Sequence, residues 1–156
     1  MAGREKKARE VLRLRRVLMR AEQALAEAER DLFAAHQLCA SDFAILERLA
    51  RKGRDRVNAL APRVGLTSGS MTTAVQRLRK RALVETERDT LDRRVVWVDS
   101  TSAGRELATK LSSERSELLL DVFGAWSGRE QAILANFLKR LRKDASSSRL
   151  ERSPLD

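Results

Sequence analysis

Apolar residues recur at Val11, Leu14, Leu18, Ala21, Leu25, Ala28, Leu32 and Ala35, in alternating steps of three and four. That spacing is a heptad seam and predicts one long helix over residues 5–37. Such a helix either packs on its own domain or pairs with a second subunit, and its length in so small a chain favours pairing. A second helix is predicted over 41–52, with Phe43, Ile45, Leu46 and Leu49 apolar and Gly53 as its stop. Residues 55–64 read as a short helix with Val57, Leu60, Ala61 and Val64 inward. Proline inside a helix costs about 3 kcal/mol, so Pro62 places the start of this helix late, near Asn58. Gly65 suits a turn with positive φ. A helix then opens at Leu66–Thr67, with Thr67 as N-cap, and reaches about Arg81, turning Met71, Ala74, Val75 and Leu78 inward.

Two short strands follow, 83–88 and 94–99, separated by a polar tip, Asp89-Thr-Leu-Asp-Arg93. Two helices joined by a tight glycine turn make a helix-turn-helix, and a β-hairpin directly after it makes a winged helix. The rest reads as helical. Residues 104–126 carry Leu107, Leu111, Leu118, Leu119, Val122 and Phe123, and Ser127-Gly-Arg-Glu130 is a capping box opening a last helix. Residues 146–156, with three serines nearby and Pro154, read as a flexible tail. The expected organisation is an N-terminal helix over 1–37, a winged helix-turn-helix over 38–100, C-terminal helices over 101–145 and that tail, all one folded unit. The fold class is mainly α with a small β-hairpin wing.

Composition narrows the partner. The 156 residues carry 32 Lys and Arg against 22 Asp and Glu, a formal charge of +10, while 42% are hydrophobic. That balance excludes a membrane-spanning, collagen-like or low-hydrophobicity disordered chain and points to a soluble domain with an anionic partner, nucleic acid first. One cysteine, Cys39, excludes an internal disulfide framework. The opening MAGREKKARE lacks the apolar stretch of a signal peptide, so a cytoplasmic, nucleoid-associated location is expected. The charge is uneven: the first 20 residues hold eight basic and two acidic groups, whereas Val64 to Gln76 hold none. The basic stretch either adds phosphate contacts or is a solvated helix face partly offset by Glu5 and Glu10. The second is the default, because the seam already assigns that helix to pairing.

Three stretches, Val57-Asn-Ala-Leu-Ala61, Val64-Gly-Leu-Thr-Ser-Gly-Ser-Met-Thr72 and Val75-Gln-Arg-Leu78, are followed by Leu83-Val84, Asp92-Arg93-Arg94 and Thr101-Ser-Ala-Gly104. In this order and spacing the chain resembles the MarR (multiple antibiotic resistance regulator) family of winged-helix transcription factors over about residues 38–108. The resemblance implies a homodimer whose terminal helices interlock and whose winged helices grip successive major grooves of an operator, as a repressor relieved by a small aromatic effector. Departures from the family pattern fall at Ala82, usually Gly, at Arg79, usually acidic, near Thr86, where a basic residue is often found, and at Ser100, usually Leu.

The hydroxyl-rich helix supplies the readers. Ser68, Ser70, Thr72, Thr73 and Gln76 offer short donors and acceptors to base edges, and Gln76 suits adenine. Arg77 and Lys80, farther along, fit phosphates. Arg88, Arg93 and Arg94 are the wing cations suited to a minor groove. Asp92 is expected to brace the wing, tied to one of its two neighbouring arginines. Phe33, Phe43, Phe123 and Trp126 are candidate effector-pocket aromatics, although core packing is their commoner use. His36 and Cys39 form a single pair, too few ligands for a metal site. Neither a cofactor fingerprint nor a nucleophile–histidine constellation is present, so no cofactor, metal or enzyme activity is expected. The rival reading is a non-specific nucleoid or RNA-binding structural protein driven by the +10 charge.

Overall fold

The structure is a computed structural model that describes residues 2–151, with side chains described over 3–147. Its elements in chain order are helix α1 (Ala2–Ala35), α2 (Ala40–Lys52), strand β1 (Asp55–Arg56), α3 (Val57–Arg63), α4 (Ser68–Lys80), β2 (Val84–Arg88), β3 (Val96–Ser100), α5 (Ser102–Phe123) and α6 (Gly128–Glu151). The chain up to Ser116 forms one compact unit and Glu117 onward a second, with α5 running from the first into the second.

In the first unit Ile45, Leu46, Leu60, Met71, Leu78 and Leu111 are completely buried, so α2, α3, α4 and α5 share one core. The pattern that buries them is the 3.6-residue period: Met71, Ala74, Val75 and Leu78 fall on one face of α4 and are all buried. Thr67 caps α4, its hydroxyl oxygen accepting from the Ser70 N–H at 3.2 Å. Gly65 has a φ of 74°, the left-handed turn residue between α3 and α4.

The expected two-stranded hairpin is a three-stranded antiparallel sheet in the order β1-β3-β2. Residues 55 and 56 are strand, not helix, pairing with Val98 and Trp97. Two residues are too few to show a period-2 pattern, so side-chain ties fix them: the Asp55 carboxylate accepts from Arg48 and Arg63, on α2 and α3. The short helix starts at Val57 and keeps Pro62 inside it. Proline is tolerated because only the Asn58 carbonyl loses its helical donor, while Leu60, Ala61 and Pro62 carbonyls accept from Val64, Leu66 and Gly65.

β3 begins at Val96, two residues later than the sequence pattern places it. Residues 92–95 form a tight turn instead, the Asp92 carbonyl accepting from the Val95 N–H at 2.8 Å. β2 registers on β3 from Val84 opposite Ser100 to Arg88 opposite Val96. Ser100 is buried and its hydroxyl has no protein partner, the local result of a serine where the family carries leucine. The Thr101 hydroxyl donates to the Ala82 carbonyl and accepts from the Gly104 N–H, opening α5. A β-carbon on Gly104 would lie 2.0 Å from the Leu83 carbonyl oxygen, so only glycine lets α5 approach the strand this closely.

In the second unit the predicted capping box is present: Glu130 accepts from the Ser127 N–H and hydroxyl at 2.8 and 2.7 Å, and its own N–H donates back to the Ser127 hydroxyl. These donors hold the Glu130 carboxyl below its usual range. The last helix does not stop near residue 145. It continues to Glu151, with the Ser146 and Ser147 hydroxyls donating to the Arg142 and Lys143 carbonyls within the helix. Residues 152–156 of the expected tail lie outside the described residues.

Candidate nucleic-acid interface

The capped start of α4 and its inward apolar stripe leave one face for solvent. On it lie Ser68, Ser70, Thr72, Thr73 and Gln76, all exposed. The Thr72 and Thr73 hydroxyls donate to the Ser68 and Gly69 carbonyls one turn back, at 3.0 and 3.2 Å. Those bonds hold the hydroxyl hydrogens inward, so each oxygen's free lone pairs and each methyl group face outward. As presented, the two threonines are acceptors and apolar contacts, and Gln76 supplies both a donor and an acceptor.

A groove of about 490 Å³ separates this face from the hairpin, lined by Asn58, Thr72, Gln76, Arg79, Arg88 and Arg94 among others. Glu87 also borders it, so cations outnumber carboxylates three to one. The sequence pattern named Gln76, Arg88 and Arg94 here but not Asn58 or Arg79. The Arg79 Nη1 donates to the Thr86 hydroxyl at 3.3 Å, joining α4 to β2. Arg79 is one of the positions that depart from the family pattern, where an acidic residue is usual. Arg79 therefore adds a positive charge to the groove.

The four cations behind the charge-free segment have different roles. Arg77 directs its Nε and Nη2 onto both carboxylate oxygens of Asp42, at 2.6–3.2 Å, and Nη2 also reaches the Cys39 sulfur at 3.3 Å. Asp42 is only 1% exposed, so this pair fastens α4 to α2. Hydrogen bonding to Asp42 raises the Arg77 pKa further above its ordinary value. Arg81 donates to the Gln37 and His36 carbonyls at the end of α1. Lys80 is exposed.

At the wing tip Arg93 and Arg94 are exposed, as is Arg88. The Asp92 carboxylate accepts from the backbone N–H of Arg94 at 3.0 Å, not from a guanidinium, so it braces the turn and leaves the cation free. The stronger brace is Asp89. One of its oxygens accepts from the Leu91 and Asp92 N–H groups, the other from the Trp97 indole at 2.8 Å. The indole hydrogen bond, then the two amides, hold the Asp89 carboxyl below the usual carboxylate range. Arg54 and Arg56 lie over the Trp97 ring at 4.6 and 5.1 Å. The spacing of an aspartate two and three residues before its amide partners signals such a turn, whereas the Asp89–Trp97 contact needs the hairpin register to be seen.

Of the aromatics, Phe33 and Phe43 stack on each other at 4.8 Å, each 2% exposed, as core of the first unit. Phe123 and Trp126 meet edge to face in the second. His36 bonds to Glu114 at 3.1 Å and Cys39 to Ser41 and Asp42, so the two do not form a pair.

This geometry coincides with what known proteins share. Residues 38–96 match the model of the MarR family. The chain is 26% identical to the HTH-type transcriptional regulator YkoM of Bacillus subtilis over 87% of its own length and 88% of that protein. It superposes on a MarR-like transcription regulator from Bacillus cereus with a TM-score of 0.78 and 22% identity, covering 86% of this chain and 97% of that one. BpsR of Bordetella bronchiseptica, whose DNA binding is regulated by 6-hydroxynicotinic acid, superposes with a TM-score of 0.76 and 22% identity, covering 83% and 98%. The likeness is to DNA-binding transcriptional regulators of the helix-turn-helix type, and over residues 38–96 to the MarR family in particular.

Proposed function

We propose that this protein is a homodimeric regulator that reads a pseudo-palindromic operator and represses by covering a promoter. The exposed polar face of α4, flanked by a net-positive groove, carries that reading. Ser68, Ser70, Thr72, Thr73 and Gln76 read base edges in the major groove, and Lys80 sits on phosphate. Arg88, Arg93 and Arg94 follow the wing into the minor groove, where a narrow, electronegative floor favours guanidinium. Arg77 positions α4 through Asp42 instead of meeting DNA itself.

Pairing of the chain through residues 1–37 and 101–145 is supported by large apolar side chains left uncovered in the single chain, among them Leu14 at 67% and Phe137 at 60% exposure. Two-fold symmetry then sets half-site centres about one helical turn apart, near 34–36 Å. The behaviour of BpsR supports a small aromatic acid as effector.

The test is protection mapping of DNA upstream of the protein's own gene, with affinities for that fragment and for a random duplex of equal length. A symmetric protected site bound at least about a thousandfold more tightly than random duplex is expected. Thr73→Ala and Gln76→Ala should lower that ratio at particular base pairs, each by about 1–3 kcal/mol. Equal affinity for both duplexes would instead establish the rival, a non-specific nucleoid or RNA-binding protein.

A further inference from the structure

Helix α1 is continuous from Ala2 to Ala35, and that continuity fixes the angular position of every residue on it. Lys6, Arg9, Arg13, Arg16 and Arg20 follow one another in steps of three and four, the same period as the apolar seam. At 3.6 residues per turn they occupy an arc of about 80°, centred about 150° from the seam of Val11, Leu14, Leu18 and Leu25. Neither carboxylate of this region enters the arc, since Glu5 and Glu10 fall on either side of it. The stripe is about 21 Å long and stops at Arg20; the same face next carries Glu27 and Asp31. All five cations are exposed, and among the described residues none takes part in an ion pair.

Pairing through the seam does not occupy the stripe, because the two lie on nearly opposite faces. A solvated face would intersperse charges of both signs, as helices do when i, i+4 pairs support them. Here Arg9 faces Arg13, and Arg16 faces Arg20, at i, i+4, a like-charge spacing that weakens the isolated helix. A ligand that relieves this repulsion must itself be an extended row of negative charge. Four of the five cations are arginines, whose planar fork matches phosphate oxygens. The arc carries no aromatic or large apolar residue to enter a lipid surface.

We propose that the Lys6–Arg20 stripe of α1 is a second, sequence-independent binding surface for the phosphate backbone of duplex DNA, separate from α4 and the wing. With one phosphate per about 3.4 Å of each strand, a 21 Å stripe matches the axial length of about six base pairs. It adds affinity and salt dependence to any duplex the protein meets and adds nothing to base selection.

The test uses the full chain and a labelled random-sequence duplex of about 30 base pairs, titrated between 50 and 200 mM salt. The parent carries Arg88→Gln, Arg93→Gln and Arg94→Gln, so the wing does not mask the stripe. Adding Lys6→Gln, Arg9→Gln, Arg13→Gln, Arg16→Gln and Arg20→Gln should cut affinity at 50 mM salt at least about tenfold. The slope of log K against log salt should fall in magnitude by about 0.9 for each lost contact, up to about 4.5. Replacing the four arginines by lysine keeps the charge and should keep the slope, which separates lost contact from misfolding. Neutralising Arg4, Lys7 and Arg15, outside the arc, should leave the slope unchanged within one. The discrimination between own-promoter and random duplex in the otherwise unmodified chain should survive loss of the stripe, whereas Thr73→Ala and Gln76→Ala should lower it and spare the slope. An unchanged slope in the five-fold variant overturns the proposal. So does an equal loss per charge from the off-arc variant, and so does stripe-dependent binding to phosphatidylserine vesicles without stripe-dependent binding to duplex.

Discussion

At the scale of single residues, Ala82 carries a β-carbon where the backbone turns left-handed, with a φ of 54° just beyond the end of α4. That conformation costs an L-residue about 1–2 kcal/mol, and glycine escapes it at an entropic cost of about 0.4–1 kcal/mol. Ala82→Gly should therefore raise stability by about 0.5–1 kcal/mol and the melting temperature by about 1–4 °C, read by calorimetry. The family's usual glycine at this place has the same physical reason. Arg77 and Lys80, three residues apart, should separate in kind. Arg77→Ala strips the buried Asp42 carboxylate of its charged partner. Because Arg77 is 43% exposed, water enters the space it leaves, so the loss should be about 2 kcal/mol, less than the 3–5 kcal/mol of a fully buried pair. The expected sign is a melting temperature lower by about 4–8 °C with an unchanged salt slope of DNA binding. Lys80→Ala should do the reverse, leaving melting intact and flattening the slope by about 0.9. Melting curves and salt titrations of the two variants decide it.

At the scale of elements, the hairpin depends on one carboxylate. Asp89 holds the Leu91 and Asp92 amides on one side and the Trp97 indole on the other, and these donors all favour its charged form. Its folded pKa lies below the ordinary 3.8, so the bracing is complete above that value and is lost as pH falls below it, through the folded pKa. Acidification should release the indole and shift Trp97 fluorescence in a Trp126→Phe background, while Asp89→Ala should show the released spectrum at neutral pH. An identical acid response in Asp89→Ala would refute this brace. The same hairpin shows what the sequence discloses and what it hides. Helix-period and strand-period stripes identify α1, α2, α4, β2 and β3 because each is long enough for a pattern to repeat. β1 is two residues long and is set by Asp55 reaching Arg48 and Arg63, a contact between segments that no local pattern carries. The arginines following the charge-free gap look alike in sequence, yet Arg77 and Arg81 tie α4 to α2 and α1 while Arg79 lines the groove. Residue type specifies what a group can do; which partner stands opposite is decided by the fold.

At the scale of the whole molecule, the apolar seam on α1 has its first half uncovered in the single chain: Val11 and Leu14 are 58% and 67% exposed. Substitutions there cost the chain's own core little, because both side chains are more than half exposed and neither belongs to its buried cluster. Val11→Glu with Leu14→Glu should therefore leave melting of the winged helix near that of the parent while turning the sedimenting species from dimer to monomer. DNA binding then loses the gain of two linked half-sites, which is about 10²–10⁴ for joined modules. Affinity for a two-half-site operator should fall at least about a hundredfold, whereas affinity for a single half-site should hardly change. The phosphate-facing stripe remains in this variant, so its salt slope on random duplex per protomer should persist as well. A double variant that still sediments as a dimer would remove the α1 seam from the interface and place pairing on the C-terminal helices, where Phe137 and Leu141 are also exposed.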